Sequence, residues 1–394
     1  MSRLRISVVI TLCAVLGCAV VSQAAVSDTR PFRLIHRGGI TLPSTTRDRN
    51  GNDVEITGLS GITWLGHDRY AAIMDNSDKL LAFSLSLSRD GTPLEAFDFE
   101  VVTLAERHDY EDVAACPEPL QQRIAARRIN QGFPDPGRCL LVAEEDTPAI
   151  RAVSLTDGSL LGVIPTPEEF ATRRPNRGLE SLDVEADGRH IWTANEEALT
   201  ADGPAAAGDA GTVVRIARIE IPEPGNQSAE EPLQIAYAVD PPHHFIPVFF
   251  GEPLSGVTAI TVLDHGQLLV LERSGCPGLP PFENRMYLVD AHGSADVSDI
   301  DRELSLRAEV HTPKVLLWKD QLGCNIEGLC LGPRLRGGGR AVVAVADNGG
   351  LGTPNQVIGF AMEDESSATQ LPMLLGGMAI VAVVLGFVTY RLTR

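Results

Sequence analysis

Positive charge is scarce in this sequence. Lysine and arginine together number 33 against 52 aspartates and glutamates, so the formal net charge is −19 at pH 7. Nucleic acids and other polyanions bind to basic surfaces, and an acidic chain repels them. We therefore expect no nucleic-acid partner and no unaided binding of a polyanion.

Several catalytic signatures are also missing. The sequence has no Gly-x-Ser-x-Gly elbow, no His-Glu-x-x-His motif, no Cys-x-x-Cys pair and no Gly-Lys-Ser/Thr phosphate loop. Each of these motifs places a nucleophile, a metal ligand or a phosphate-binding backbone in a fixed geometry. Their absence argues against a serine hydrolase of the elbow type, a zinc protease and a nucleotide-binding loop.

Cysteine is rare as well. Five of the 7 cysteines follow residue 24, and an exported compartment would allow them to pair. Cys116 and Cys139 bracket one insertion, which predicts a disulfide between them. Cys276 and Cys324 could meet at one face, which would leave Cys330 as a buried thiol.

An apolar run near the start of the sequence predicts export. Arg3 and Arg5 precede the apolar residues 6–21, and small residues follow at 22–24. This order is typical of a secretory signal, which we place at residues 1–24. An uncleaved anchor helix and lipid attachment at Cys18 are the alternatives.

A second apolar run predicts a membrane anchor. Residues 371–388 carry no charge, acidic residues 363–365 precede them, and Arg391 and Arg394 follow. Such a run is long enough to cross a bilayer, and the positive residues favour a body on the periplasmic or extracellular side. We expect a linker over residues 363–370 and a transmembrane anchor or sorting helix over residues 371–390. The sequence leaves open whether that helix is retained or processed.

One hairpin pattern occurs five times between these ends. Its clearest copy covers residues 176–184, turns at residues 187–189 and returns at residues 191–196. Alternating apolar positions around a tight turn predict two antiparallel strands. The other copies begin at Leu59, Tyr110, Leu254 and Ile326.

The spacing of these hairpins predicts the fold. Each interval holds one hairpin and leaves room for two further strands, as a propeller blade requires. We expect an all-β propeller of about six blades over residues 25–362, with little helix. A strand over residues 32–36 is expected to pair with the last blade and close the ring, which removes exposed sheet edges. The Pro- and Arg-rich residues 117–138 are expected to form a surface loop.

Carboxylates stand at the open ends of the hairpins. If the hairpins are the innermost strands of successive blades, these ends converge on one mouth of the central channel. So many like charges require raised pKa values or a cation, and Ca²⁺ tolerates an irregular set of oxygen ligands best. The candidate metal ligands are Asp75, Glu111, Glu144, Glu180, Glu196, Glu272, Glu327 and Asp347.

A Ca²⁺ cluster at such a mouth could bind a phosphate, polarise it and activate water. The structural alternative for each carboxylate is to accept backbone N–H bonds that hold neighbouring blades together. The alternative for each arginine is an ion pair with a nearby glutamate. The candidate catalytic residues are Glu180, Glu327, Arg177 and Arg273, and the candidate phosphate partners are Arg177, Arg273 and Lys319.

The ordered series of motifs carries a family resemblance. Residues 59–62 with Asp75, then residues 176–182, 195–199, 268–274, 325–329 and 346–348, together resemble the bacterial "esterase-like activity of phytase" family. The resemblance covers roughly residues 55–360 and implies an exported β-propeller that hydrolyses phosphate or other esters. Glu111-Asp112-Val113 departs from the pattern because it lacks the usual glycine. No sharply defined catalytic set accompanies the family.

Two functions remain open from the sequence. The first is an exported, membrane-tethered, Ca²⁺-dependent phosphoesterase that acts on small phosphorylated substrates. The alternative is a non-catalytic propeller that binds a ligand or a protein partner in the cell envelope.

Overall fold

The computed structural model describes residues 32–129, 138–223, 230–263, 266–320, 323–347 and 354–364. The predicted signal at residues 1–24 and the predicted membrane run at residues 371–390 lie outside these ranges. Within them, no helix is long and apolar enough to cross a membrane.

The described chain folds almost entirely into antiparallel strands. The first three strands are β1 (Phe32–Thr41), β2 (Thr45–Arg47) and β3 (Asp53–Glu55), of which β2 and β3 pair as a short ribbon. The first blade follows with β4 (Leu59–Gly66), β5 (Arg69–Met74), β6 (Lys79–Leu87) and β7 (Pro93–Thr103).

The next two blades repeat this meander. The second blade contains β8 (Tyr110–Ala115), helix α1 (Glu118–Ile129) between its first two strands, β9 (Cys139–Glu144), β10 (Ala149–Ser154) and β11 (Leu160–Pro165). A 3₁₀ turn at Glu168–Thr172 leads to the third blade. That blade contains β12 (Leu179–Val184), β13 (His190–Asn195), β14 (Thr212–Glu220) and β15 (Leu233–Val239).

The fourth and fifth blades complete the ring. The fourth is built from β17 (Leu254–Val262), β18 (Gln267–Gly275), β20 (Phe282–Asp290) and β21 (Lys314–Asp320), and a separate ribbon pairs β16 (Ile246–Pro247) with β19 (Gly278–Leu279). Two 3₁₀ turns, Leu304–Leu306 and Ala308–Val310, precede β21. The fifth is built from β22 (Asn325–Arg334), β23 (Arg340–Asp347), β24 (Gln356–Asp364) and, returning from the start of the chain, β1.

The described residues thus form a five-bladed propeller, so the expectation of about six blades was wrong. Each of the five predicted hairpins is the inner half of one four-stranded sheet. The chain length that suggested a sixth blade is instead used in connections, among them α1 and the long segment between β20 and β21. The predicted surface loop over residues 117–138 was also wrong in part, because Glu118–Ile129 is helical.

Closure of the ring occurs as the sequence predicts. Strand β1 lies antiparallel to β24, with Phe32 opposite Asp364 and Thr41 opposite Gln356. The innermost strands β4, β8, β12, β17 and β22 contact one another in a closed circle, β22 against β4. Each innermost strand is the inner edge of its own sheet, and its two neighbours in this circle cover it.

Apolar layers between neighbouring blades hold the ring together. Ile150 of the second blade packs in one buried cluster with Leu182 and Ile191 of the third. Leu269 of the fourth blade packs in another with Leu329 of the fifth. Full burial of such a side chain stabilises the fold by about 1.5–3 kcal/mol.

The cysteines differ in part from expectation. Cys116 and Cys139 are free thiols with their sulfur atoms 2.8 Å apart, so the two residues meet as predicted, but the predicted disulfide is not formed. Cys276 and Cys324 are also free, and Cys330 is the buried thiol that the sequence predicts.

Candidate functional site

Each innermost strand contains one β-bulge near its start. The pairing of β12 with β13 shifts between Leu179 and Ser181, so Glu180 is the extra, unpaired residue. A bulge of this kind leaves one residue outside the ladder and redirects its side chain. The same shift occurs at the same place in all five blades, and its residues are Ser60, Glu111, Glu180, Thr258 and Glu327.

A second ring lies at the end of the neighbouring strands. Leu179 pairs with Asn195, which makes Glu196 the first residue beyond the paired positions. The equivalent residues in the other blades follow from the same register. This ring consists of Asp75, Glu145, Glu196, Arg273 and Asp347. We call the bulge residues and this second ring together the acidic mouth.

On one side of the acidic mouth, two of its carboxylates form a cluster with the adjacent Asp109. Asp75, Asp109 and Glu111 each offer an oxygen, and the three oxygens lie within 4.8 Å of one another. Burial, and then the neighbouring Asp75, raises the pKa of Asp109 to about 7. The same two causes raise the pKa of Glu111 well above its usual range. One buried oxygen of Asp75 and one of Asp109 have no hydrogen-bond partner among the described residues.

The opposite side is neutralised by arginine. Arg273 donates from Nη2 to Oε1 of Glu196 at 2.5 Å, from Nη1 to Oδ1 of Asn325 at 2.8 Å, and from Nη1 to Glu327. Arg177 donates to the other oxygen of Glu196 at 2.6 Å. Glu196 therefore lies between two guanidinium groups, as the structural alternative for these residues supposes.

Two glutamates of the bulge ring keep protons more tightly than usual. Burial raises the pKa of Glu327 to about 7, although Arg273 acts in the opposite direction. Burial, followed by repulsion from Glu111 and Glu196, raises the pKa of Glu180 well above its usual range. Glu180 has no hydrogen-bonded or ion-paired partner in the described part of the chain. Carboxyl groups of this kind bind a proton or a cation.

The structure does not place Glu144 and Glu272 in the acidic mouth. Glu144 is opposite Tyr110 in the ladder and pairs with Arg151 at 2.6 Å. Glu272 accepts from Tyr237 at 2.6 Å and pairs with Lys314 of the outermost strand. Successive residues of a strand point to opposite faces, so these two acids lie one position out of register with the mouth.

Lys319 is also remote from the mouth. It lies on β21, the outermost strand of its blade, and pairs with Glu283 at 2.8 Å. On the outermost strand, Lys319 does not lie beside Arg177 and Arg273, so it is not placed to bind a phosphate with them.

Sequence reasoning missed Asp109, Glu145 and Asn325. Asp109 and Asn325 immediately precede the apolar residue that starts each bulge, and Glu145 is the second acid of a Glu-Glu pair. A register count from the bulge would have selected Glu145 over Glu144. Glu145 accepts from the backbone N–H of Gly178 at 2.6 Å, and burial raises its pKa to about 7.

Two other carboxylates have the blade-bridging role that the sequence suggested for acids in general. Asp112 accepts from the backbone N–H of Leu182 in the next blade at 2.7 Å. Asp183 accepts from that of Val262 in the blade after, also at 2.7 Å. Gly61 makes room for Asp112, because a Cβ built on Gly61 would overlap its carboxylate and lie 2.5 Å from its Cα.

Comparison with known families identifies the chain. The family model described as "Phytase-like: Esterase-like activity of phytase" matches residues 54–350. The chain belongs to this phytase-like family. The matched range contains the whole of the acidic mouth.

Other comparisons are more distant. No curated protein matches the phytase-like chain in sequence. Among solved structures, it is similar to the endo-arabinase of Bacteroides thetaiotaomicron, with 11% identity, a TM-score of 0.39, and coverage of 84% of this chain and 97% of that one. A protein from Lactobacillus plantarum gives 12% identity, a TM-score of 0.32, and coverage of 82% and 94%. At these scores neither likeness bears on function.

Proposed function

We propose that this phytase-like propeller is an exported, membrane-tethered hydrolase that cleaves small phosphate esters with the help of a divalent cation, Ca²⁺ foremost. The observation that supports this best is the cluster of Asp75, Asp109 and Glu111. It combines close carboxylate oxygens, raised pKa values for Asp109 and Glu111, and buried oxygens that have no hydrogen-bond partner among the described residues. Membership of the family supports a hydrolase.

The donor set of this cluster fits a hard cation. Ca²⁺ takes six to eight oxygen ligands in flexible geometry, and three carboxylates with Glu145 nearby provide the protein part of such a set. When bound, the ion would neutralise the carboxylates, polarise a phosphoryl oxygen and make a water molecule more acidic.

The residues of the chain have separate roles in this proposal. Arg177 keeps 28% of its side chain exposed and is the guanidinium that can reach a phosphate oxygen. Arg273 holds Glu327 and Glu196 in place and adds positive charge at the same edge. Burial and the neighbouring acids raise the pKa of Glu180 well above its usual range, which suits a general acid for the departing alcohol. Glu327, with a pKa of about 7, can exchange a proton with water.

Turnover with matched variants tests the proposal. We expect the full-length protein to release phosphate from small esters such as p-nitrophenyl phosphate in Ca²⁺ and not in excess chelator. Asp109→Asn should lower the rate at least about 100-fold, because it removes one ligand charge and one acceptor oxygen. Asp301→Asn, at an exposed position outside the mouth, should leave the rate unchanged.

A different result would favour the non-catalytic alternative. Absence of turnover for every phosphate ester, together with a thermal unfolding midpoint that Ca²⁺ does not shift, would contradict a metal-dependent hydrolase. The chain would then be a propeller that binds a ligand or a protein partner in the envelope.

A further inference from the structure

A cysteine and a histidine meet outside the acidic mouth, at the end of β18. The sulfur of Cys276 lies 3.5 Å from Nδ1 of His243. The other ring nitrogen, Nε2, lies 2.9 Å from the carbonyl oxygen of Pro280. A carbonyl accepts hydrogen bonds only, so Nε2 carries the ring proton, and Nδ1 presents its lone pair to the hydroxyl of Ser274 at 2.8 Å and to the thiol of Cys276 at 3.5 Å.

A buried serine fixes the position of this histidine. The hydroxyl of Ser274 accepts from the backbone N–H of His243 at 3.0 Å and lies 2.8 Å from its Nδ1. Ser274 is buried, whereas Cys276 is half-buried. The thiol is therefore the nucleophilic atom that solutes can reach, and Ser274 serves to orient the base.

The remaining cysteines lack this arrangement. Cys116, Cys139 and Cys330 are buried. Cys324 is half-buried like Cys276, but its sulfur has no imidazole partner in the ranges that the structure describes. It is a natural control within the same chain.

An exposed apolar surface adjoins Cys276. Residues 244–251 and 277–280, which we call the apolar finger, contain no acidic or basic side chain apart from His244. The backbone N–H groups of Val248 and Phe249 donate to the carbonyl oxygen of Pro277 at 3.1 and 2.9 Å, immediately after Cys276 in the chain. The exposed apolar side chains of the finger are Ile246, Val248, Phe249, Phe250 and Leu279.

We propose that Cys276 and His243 form a nucleophile–base pair that accepts acyl groups from esters or thioesters whose acyl chain is apolar. The apolar finger provides a surface against which the acyl chain can bury its apolar atoms away from water. The pair needs no cation and shares no residue with the acidic mouth, so this activity is independent of the proposed phosphoesterase.

The acyl transfer conserves atoms and charge. The sulfur of Cys276 forms a bond to the acyl carbon as its proton moves to Nδ1 of His243. The bond between the acyl carbon and the oxygen or sulfur of the donor breaks, and His243 returns the proton to the departing alcohol or thiol. The products are an acyl thioester on Cys276 and the free alcohol or thiol. Burial raises the pKa of the Cys276 thiol, so the proton stays on sulfur until the base removes it.

The probe is p-nitrophenyl octanoate, given to the full-length protein in excess chelator. We expect stoichiometric release of p-nitrophenolate and an octanoyl group on the peptide that contains Cys276. His243→Gln should slow acylation about 100-fold, the usual contribution of a general base. Cys276→Ser should abolish the adduct, and Cys324→Ser should leave it unchanged.

A second comparison keeps the proposal testable even where His243→Gln disturbs folding. Phe250→Ser changes a fully exposed side chain and should slow acylation by the octanoyl ester severalfold, while acylation by the acetyl ester stays the same. Equal acylation of Cys276 and Cys324, or equal rates for the octanoyl ester with and without Phe250→Ser, would overturn the proposal.

Discussion

Glu180 and Glu327 occupy the same bulge position but have different surroundings. Glu327 accepts from Arg273 and Asn325, whereas Glu180 has no partner within the described ranges. Both side chains are surrounded by other acids. Removal of the charge should therefore affect stability less at Glu327 than at Glu180.

We expect Glu180→Gln to stabilise the protein in chelator by about 1 kcal/mol, because it relieves repulsion and desolvation without breaking a bond. Glu327→Gln should change stability less, because Arg273 already offsets part of the cost of burying that charge. The measurement is the free energy of unfolding by denaturant for both variants and the wild type. Loss of stability in both variants would show that Glu180 has a partner that neutralises it.

At the scale of the strand, close approach between blades depends on small residues just after the bulge. Gly61 lies against Asp112, and a Cβ on Gly328 would lie 2.6 Å from the carbonyl oxygen of Ser60. These contacts surround the channel, where neighbouring innermost strands are nearest to one another. An added methyl group there has to move backbone atoms.

Gly61→Ala should thus lower the free energy of unfolding by about 1–3 kcal/mol, as overpacking in a tight interior does. Gly162→Ala is the matched control, because the residue is also in a strand and its added methyl group would have no atom within 4 Å. Its stability should stay the same or rise slightly. Thermal unfolding of the two variants decides the matter, and equal midpoints would contradict the close contact at Gly61.

The sequence was sufficient for the hairpins but not for their register. Alternation identified all five inner hairpins and the closing strand β1, because one buried face per strand leaves a clear pattern. It could not show the bulge at Glu180 or at Thr258, because a single inserted residue looks like ordinary alternation shifted by one. Glu144 and Glu272 were assigned to the mouth for that reason.

The composition of the second ring was hidden in the same way. Arg273 occupies the position that Asp75 and Glu196 hold in other blades, so one blade supplies a base where the others supply acids. Only the pairing of Val257 with Glu272 reveals this equivalence. The predicted number of blades was too high for a simpler reason, because chain length alone does not distinguish connecting segments from blades.

At the scale of the whole molecule, the acidic mouth makes stability depend on pH. The pKa of Glu327 and that of Asp109 are raised to about 7 in the folded protein, so the folded state holds these protons more tightly than the unfolded chain does. Their contribution to stability is complete below the unfolded pKa and is lost as the pH rises towards about 7.

We therefore expect the free energy of unfolding in chelator to decrease by an amount on the order of 1–3 kcal/mol as the pH rises from about 4.5 to about 7.5. The thermal unfolding midpoint should decrease with it. Ca²⁺ should reduce this fall, because it binds only the deprotonated carboxylates and stabilises the folded state by mass action. Thermal scans across this pH range with and without Ca²⁺ provide the measurement. A midpoint in chelator that rises with pH would contradict the raised pKa values.

The pairing of β1 with β24 has a consequence for access to the protein. Phe32 lies opposite Asp364, so the chain enters and leaves the propeller at one corner of one blade. That corner is at the end of the sheet away from the acidic mouth, since Thr41 and Gln356 mark the mouth end of the same two strands. The two ends of the described ring therefore lie on the face opposite the acidic mouth, and the strands that close the ring leave the mouth unobstructed.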